Sequence, residues 1–332
     1  MMKNSVKIQI NEWTKESLTA FIQHYTQESR YTKLTHIVPE WLVNFNTLRL
    51  FEKQGSQTQC LTFSSGIDNA FAIGYAGIDS SLSRVGEKPV CFARCFFNKK
   101  EIQIDSLNSI AIEIDKVCKK LKAYTCRIKR DNFSGVPTAF REQGFTHYYS
   151  TEKLIYRQDV SYIDPHKRVA ISIHIKTLKP SDSATLDILL DHKTSERYNH
   201  PYIYTDSIST YYQKWWKSKI NDHNTLILQA ISADNKPLAL AIISKPSYIQ
   251  KITNIPLYTL DFLYTYPAYR KKGIGEQFLT SIIKKLSPAI IETSCSTHNT
   301  NIISLLQKCD FQKCESYIFF AKAYNSAIPD NP

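Results

Sequence analysis

Residues 257–286 constrain the fold more than any other stretch of the sequence. The apolar and aromatic run LYTLDFLYTYP is followed by the basic loop AYRKKGIG and then by EQFLTSIIKKL. In this last segment Phe278, Ile282 and Ile283 recur at helical spacing, whereas the first segment is rich in β-branched and aromatic residues. The pattern predicts a strand, a glycine-containing loop and an amphipathic helix. This order favours an α/β protein with a mixed sheet.

The loop between the predicted strand and helix has the composition of an anion-binding turn. Gly273 and Gly275 can adopt conformations that direct successive backbone N–H groups to one point, and the following helix adds its positive dipole end there. Arg270, Lys271 and Lys272 add positive charge around the same loop. We therefore predict a phosphate-binding loop. The alternative is a tight strand-to-helix connection with a solvated basic edge.

Composition indicates a globular protein that binds an anionic small molecule. The 332 residues are 42% hydrophobic and 22% charged, with a net charge of +12, a balance that favours anionic partners. Because the basic residues form no block, we expect no nucleic-acid partner, and no apolar run is long enough to span a membrane. The first residues lack a secretory h-region, and the eight cysteines lack C-x-x-C spacing. We expect a cytoplasmic protein with reduced thiols and no metal.

The two halves of the chain repeat one order of predicted elements. Three pairs of landmarks keep a separation of 167 or 166 residues: Tyr31 and Tyr198, Asn132 and Asn299, Phe145 and Phe311. A structural duplication follows. We predict a first domain at 1–157, a linker at 158–169, a second domain at 170–325 and a tail at 326–332.

The repeat provides an internal control for the basic loop. Subtracting the offset from residues 270–275 leads to residues 103–108, QIDSLN, which contain no glycine and no arginine. The matching position in the first half therefore lacks the residues that would bind phosphate. We predict one cofactor site, in the second domain.

These motifs resemble the GCN5-related N-acetyltransferase (GNAT) superfamily. The resemblance rests on the apolar strand, Pro267-Ala268-Tyr269, the loop RKKGIG, Asn299 and the aromatic residue Phe311. It implies tandem GNAT-like domains, the first degenerate, and direct transfer from acetyl-CoA or another acyl-CoA to an amine. It also implies cofactor-binding roles for strand, loop and asparagine residues: Phe262, Leu263, Tyr264, Arg270, Lys271, Lys272, Gly273, Ile274, Gly275 and Asn299.

The same resemblance suggests catalytic groups. Asp261 lies on the strand where many relatives carry a catalytic carboxylate, so it is our candidate for accepting the amine proton. The alternative is that Asp261 binds a neighbouring loop or a substrate hydroxyl. The backbone N–H near Leu263 is the candidate oxyanion donor. Where the family commonly has a tyrosine that protonates the thiolate, this chain has Leu306, and Tyr317 is our substitute, with Tyr264 and His298 as alternatives.

A narrower likeness concerns the acceptor. The segment SERYNHPYIYTDSISTYYQKWW at 195–216 is similar to a segment of dTDP-fucosamine and related amino-sugar nucleotide acetyltransferases. It implies substrate-binding roles for four aromatic residues: Tyr198, Tyr202, Tyr212 and Trp216. The alternative is that these aromatic side chains pack against a helix.

Other readings stay open at the level of sequence. The acceptor could instead be a protein N-terminus, a lysine or a polyamine, and the chain could be a non-catalytic acyl-CoA-binding scaffold. We expect a monomer or homodimer that acts on a small-molecule amine. The spacing of His192 and His200 around Glu196 does not favour a metal site, and Cys309 and Cys314 are more typical of buried thiols than of an acyl acceptor.

Overall fold

The computed structural model describes residues 9–11, 58–64, 71–78, 90–97, 104–120, 122, 125–131, 136–157, 172–179, 217, 221–245 and 256–324. The chain divides into two compact units. Unit 1 comprises residues 1–150, 194–212 and 315–332, and unit 2 comprises residues 151–193 and 213–314. The aromatic segment 198–216, with all four predicted substrate residues, lies outside the described residues.

Unit 1 is built on a mixed sheet. Its strands are β1 (Gln9–Asn11), β2 (Thr58–Ser64), β3 (Phe71–Ile78), β4 (Val90–Phe97), β5 (Thr125–Asp131), the start of β6 (Thr146–Arg157) and most of β12 (Gln312–Ala323). Strands β1 to β4 are antiparallel in succession. Helix α1 (Ile104–Lys120) connects β4 to its parallel neighbour β5, and α2 (Val136–Glu142) precedes β6.

The strands of unit 2 are also mixed in direction, with the same kind of connection. They are β7 (His174–Leu178), β8 (Thr225–Ile231), β9 (Pro237–Ser244), β10 (Leu257–Thr265) and β11 (Ile290–Ser296), together with the end of β6. Strands β7 to β10 are antiparallel in succession. Helix α3 (Ile274–Leu286) connects β10 to the parallel strand β11, and α4 (Thr300–Lys308) follows β11.

The core of unit 2 forms between α3 and the sheet. Helix α3 buries an apolar stripe spaced at three and four residues, namely Ile274, Phe278, Leu279, Ile282, Ile283 and Leu286. Strand β9 is buried on both faces from Leu238 to Ile243, which explains its unbroken apolar sequence. The predicted mixed α/β architecture is confirmed.

The same order of elements occurs in both units. Strands β2, β3 and β4 with α1 and β5 match β8, β9 and β10 with α3 and β11. The repeat offset pairs residues 103–108 with the basic loop of the second half. They do not form a loop, because α1 begins at Ile104. In unit 1 this stretch therefore lies almost wholly within the first turns of a helix.

The units differ in composition from the predicted halves 1–157 and 170–325. Residues 151–157 of β6 pair with β11 inside unit 2. Residues 317–323 of β12 pair with β5 inside unit 1. Each half of the chain thus supplies a strand to the other unit. Among the described residues, no helix is long and apolar enough to cross a membrane.

Candidate active site

Strands β10 and β11 separate partway along their length. Their parallel pairing covers three positions, from Leu257 with Ile290 to Thr259 with Glu292, although β10 continues to Thr265. Where the next pair would form, the Thr293 hydroxyl donates to the Leu260 carbonyl at 2.9 Å. The opening lies at the carboxyl ends of two parallel strands, which is where open α/β sheets bind ligands.

Unit 1 lacks this opening at the equivalent place. Strand β4 pairs with β5 over six positions, from Val90 with Thr125 to Cys95 with Arg130. The seven pairs of β3 with β4 also run without a shift. The two units share an order of elements but differ at this strand pair.

A β-bulge places Asp261 beside the opening. In the pairing of β10 with β9, Leu260 faces Ile243 and Phe262 faces Ile242, so that Asp261 is the extra residue. The Ser244 hydroxyl donates a hydrogen bond to Oδ2 of Asp261. The candidate proton acceptor is therefore held at an irregularity of the strand, where bulges commonly re-aim side chains.

The remaining residues of β10 alternate between the two faces of the sheet. Phe262 and Tyr264 pack against an apolar cluster on one face, with their ring centroids 6.2 Å apart. Leu263 packs against the core that contains α3 on the other face. Burial raises the pKa of Tyr266 and so does the neighbouring Tyr264, whereas a hydrogen bond to Gln229 opposes this shift. Tyr266 accordingly stays a neutral hydroxyl at physiological pH.

The loop after β10 turns sharply into α3. Lys271 and Gly273 have φ values of +59° and +76°, in the region that favours glycine. Gly273 caps α3, its carbonyl accepts from the Gln277 N–H at 3.0 Å, and Ile274 enters the core. The first turn of a helix leaves N–H groups without intrahelical partners. The start of α3 therefore offers donors and a positive dipole end to an anion.

Arg270 is held against β10. Its Nε donates to the Thr265 carbonyl at 3.0 Å, and its guanidinium lies 5.4 Å from the centroid of the Tyr264 ring. Lys272 approaches the ring of Tyr269 at 5.7 Å. The three basic side chains of the loop are exposed, so they supply positive charge at its surface.

Two further predicted cofactor residues have local structural roles. A Cβ on Gly275 would lie 3.2 Å from both Leu305 Cδ2 and Thr265 Oγ1, so glycine allows the close approach of α3 and α4. The Asn299 side chain caps α4 by accepting from the Ile302 N–H at 3.3 Å. Contact of Asn299 with a cofactor stays a prediction.

Comparison with protein families agrees with this geometry. Residues 189–311 match the acetyltransferase (GNAT) family. This part of the chain is similar to a GNAT acetyltransferase domain. The match includes β8 to β11, the basic loop, α3 and α4.

A solved structure has a similar fold. A GCN5-related N-acetyltransferase from Sphaerobacter thermophilus is 10% identical, with a TM-score of 0.59 over 99% of this chain and 98% of that one. A tandem GNAT protein from the clavulanic acid biosynthesis pathway is 9% identical, with a TM-score of 0.47 over 97% of this chain and 100% of that one. No curated protein matches the chain in a sequence comparison. The structural likeness concerns the fold alone.

The positions considered for a proton donor to the thiolate differ in their surroundings, and Tyr264 is half-buried on β10. Leu306 is 1% exposed in the core of unit 2, and His298 is exposed. Tyr317 is 5% exposed in unit 1, where it packs with Phe319 and Tyr148. The catalytic role of Tyr317 stays a prediction.

Three polar residues near the opening were missed by the sequence analysis. Ser244 contacts Asp261, Thr293 contacts the Leu260 carbonyl, and Glu292 forms an ion pair with Lys153 at 2.6 Å. Thr259 also donates to Glu292 at 3.4 Å. The only sequence signal for Ser244 was its position as a polar residue at the end of an apolar strand. Within the described part of the chain, no group of three or more metal-ligating side chains lies together.

Proposed function

We propose that the protein transfers an acetyl group from acetyl-CoA to a primary amine at the site in unit 2. The observation that carries this proposal is the opening between β10 and β11, which leads directly to the loop and first turn of α3. A long, thin, phosphate-bearing molecule fits such an arrangement: a slot between strands continues to an anion-binding helix start. The match to the acetyltransferase family supports the same reading.

Each part of the site has a distinct role in this proposal. The N–H groups around Gly273 bind the pyrophosphate of acetyl-CoA, and the exposed lysines of the loop add long-range attraction. The backbone of β10 beyond Thr259, freed from pairing with β11, hydrogen-bonds the pantetheine arm. The Leu263 N–H stabilises the negative charge that develops on the carbonyl oxygen. Asp261 accepts the amine proton.

We assign one acetyl-CoA site to the protein. Unit 1 keeps its parallel strands paired over six positions, against three in unit 2. The residues that the repeat offset pairs with the basic loop, 103–108, contain no glycine and no arginine. Both differences favour a single site in unit 2.

Isothermal titration with acetyl-CoA tests the cofactor site. Gly273→Glu introduces a side chain at a positive φ and a negative charge beside the phosphates, so we expect affinity to fall at least tenfold, about 1.4 kcal/mol. Gly144→Glu is the matched control because Gly144 has a φ of +78° in unit 1. Absence of binding heat with the wild-type protein would refute the proposal. Equal losses of acetyl-CoA affinity in both variants would show that Gly273→Glu acts by impairing folding.

The acceptor that we propose is an amino sugar carried on a nucleotide diphosphate. The aromatic segment 195–216 and the net charge of +12 support this class of acceptor. A thiol-release assay should compare dTDP-fucosamine with spermidine, a lysine-containing peptide and a peptide with a free N-terminus. Preference for dTDP-fucosamine by tenfold or more in kcat/KM is expected. Preference for spermidine or for either peptide would replace this acceptor without affecting the acetyl-CoA site.

A second candidate function is non-catalytic binding of acyl-CoA. Burial of Leu306 in the core favours it, because the position carries no proton donor for the departing thiolate. A thiol has a pKa of about 8.5, so the CoA thiolate is a fair leaving group. Its departure without a general acid lowers the rate by only about ten- to hundredfold. Steady release of CoA with any amine of the panel would exclude this candidate. Binding heat without CoA release would support it.

A further inference from the structure

The bulge in β10 brings a serine and a carboxylate to the same face of the sheet. Along β9, Leu240 and Ile242 belong to the apolar cluster that also contacts Phe262, and alternation places Ser244 on that face. The bulge lets Asp261 and Phe262 project toward one side of β10. Phe262 fills the apolar cluster, while Asp261 accepts the hydrogen bond from Ser244.

Resting on the function proposed above, we propose that Ser244 is a positioning residue that orients the Asp261 carboxylate for proton transfer. A hydroxyl donor on Oδ2 restricts the rotation of the carboxylate. A carboxylate on a bulge has more side-chain conformations than one on a regular strand. A neighbouring hydrogen-bond donor restricts these conformations, so less conformational entropy is lost in the reaction.

The reaction then balances as follows. The amine nitrogen forms a bond to the thioester carbonyl carbon, and Oδ1 of Asp261 takes one proton from that nitrogen. The carbon–sulfur bond breaks, and sulfur leaves as the thiolate of CoA and takes up a proton from water. Asp261 returns its proton to water after the amide leaves. Ser244 keeps its own proton throughout and acts only through the carboxylate.

The neighbouring carboxylate, Glu292, is less suited to this role. Its Oε2 lies 2.6 Å from Lys153 Nζ, and its Oε1 accepts from Thr259 at 3.4 Å. Both oxygens of Glu292 are therefore engaged by other side chains.

Steady-state kinetics of the full chain test the assignment of Ser244. The assay uses acetyl-CoA and dTDP-fucosamine, or the amine of the panel that releases CoA fastest. We expect Asp261→Asn to lower kcat about 100-fold and Ser244→Ala about tenfold, with KM for acetyl-CoA changed less than twofold. Ser244→Thr retains the hydroxyl and should recover kcat to within about threefold of the wild type.

The decisive comparison is the double variant. If Ser244 acts through Asp261, then Ser244→Ala lowers kcat no further in the Asp261→Asn background. Ser232→Ala is the control, because it removes the hydroxyl that accepts from the Lys236 N–H at 3.1 Å in the turn between β8 and β9. It should leave kcat unchanged.

Several results would overturn the assignment. These are additive losses of kcat in the double variant, failure of Ser244→Thr to recover kcat, and an unchanged kcat in Ser244→Ala. Loss of the thermal melting transition of Ser244→Ala would also overturn it. Full activity of Asp261→Asn would remove the role of Asp261 and that of Ser244 with it. The acetyl-CoA titration and CoA release by the wild type are independent of both residues' roles, so they report separately on the proposed function.

Discussion

Cys309 illustrates how burial decides the chemistry of a single residue. It is 2% exposed, and its Sγ lies 4.0 Å from both Thr280 Oγ1 and the Glu276 carbonyl oxygen. Burial raises the pKa of the thiol from 9.0 to about 11, with the hydrogen bond from Thr280 opposing the shift and nearby Glu276 adding to it. Because the thiolate is the nucleophile, Cys309 is unsuited to accept an acyl group at neutral pH.

The raised pKa of Cys309 predicts a pH dependence of stability. Between about pH 9 and 11 the unfolded thiol loses its proton while the folded thiol keeps it, so the unfolded state binds fewer protons and stability falls as pH rises. Urea unfolding across this range should show the wild type losing on the order of 2 kcal/mol more than Cys309→Ala. Parallel pH profiles for the two proteins would contradict the shift.

Individual site residues differ in how readily the sequence reveals them. Gly273 was predictable because the left-handed conformation it adopts, with φ of +76°, is one that glycine allows at little cost. The pairing of Ser244 with Asp261 was not, because the two residues are 17 positions apart and meet only through a bulge. A bulge changes which side chains share a face, and no local residue preference records it.

At the level of elements, the contact between α3 and α4 depends on Gly275. We expect Gly275→Ala to lower the free energy of unfolding by about 1 kcal/mol, because overpacking against Leu305 and Thr265 outweighs the better helix propensity of alanine. Acetyl-CoA affinity should fall as well, since the first turn of α3 is displaced. Thermal or chemical unfolding together with titration measures both effects.

A double-variant cycle with Leu305→Ala provides the control for this contact. Removing the Leu305 side chain opens the space that the new methyl group needs, so Gly275→Ala should cost less in that background. An equal cost in both backgrounds would show that the close approach to Leu305 is not the cause.

The strand, loop and helix of residues 257–286 could be predicted because each has a strong local pattern. Strand β10 covers Leu257–Thr265 and α3 covers Ile274–Leu286, as the apolar run, the glycines and the helical spacing indicate. The early end of the pairing between β10 and β11 could not be predicted. At that point Thr293 binds the Leu260 carbonyl, a contact between residues that are far apart in the sequence.

Across the whole molecule, the sequence reveals the repeat but not the exchange of strands β6 and β12 between the two units. Strands β6 and β12 have similar aromatic and apolar sequences, THYYSTEKLIYR and QKCESYIFFAKA. Either could pair with β5 or with β11 on pattern alone, because pattern identifies a strand and not its partner. The order of elements therefore predicts the architecture, while the pairing of the last strand of each repeat requires the structure.

The exchange predicts that a cut between the predicted halves does not separate them. After insertion of a specific protease site within residues 158–169, the first fragment keeps β6, which pairs with β11 at seven positions, and the second keeps β12, which pairs with β5 at seven positions. Both fragments should therefore coelute at the mass of the intact chain in gel filtration until urea unfolds them. Asp substitution at Leu154, fully buried in β6, should weaken their association, whereas Asp substitution at Ile112, 38% exposed on α1, should not. Fragments that elute separately without denaturant would show that β6 and β12 do not hold the two halves together.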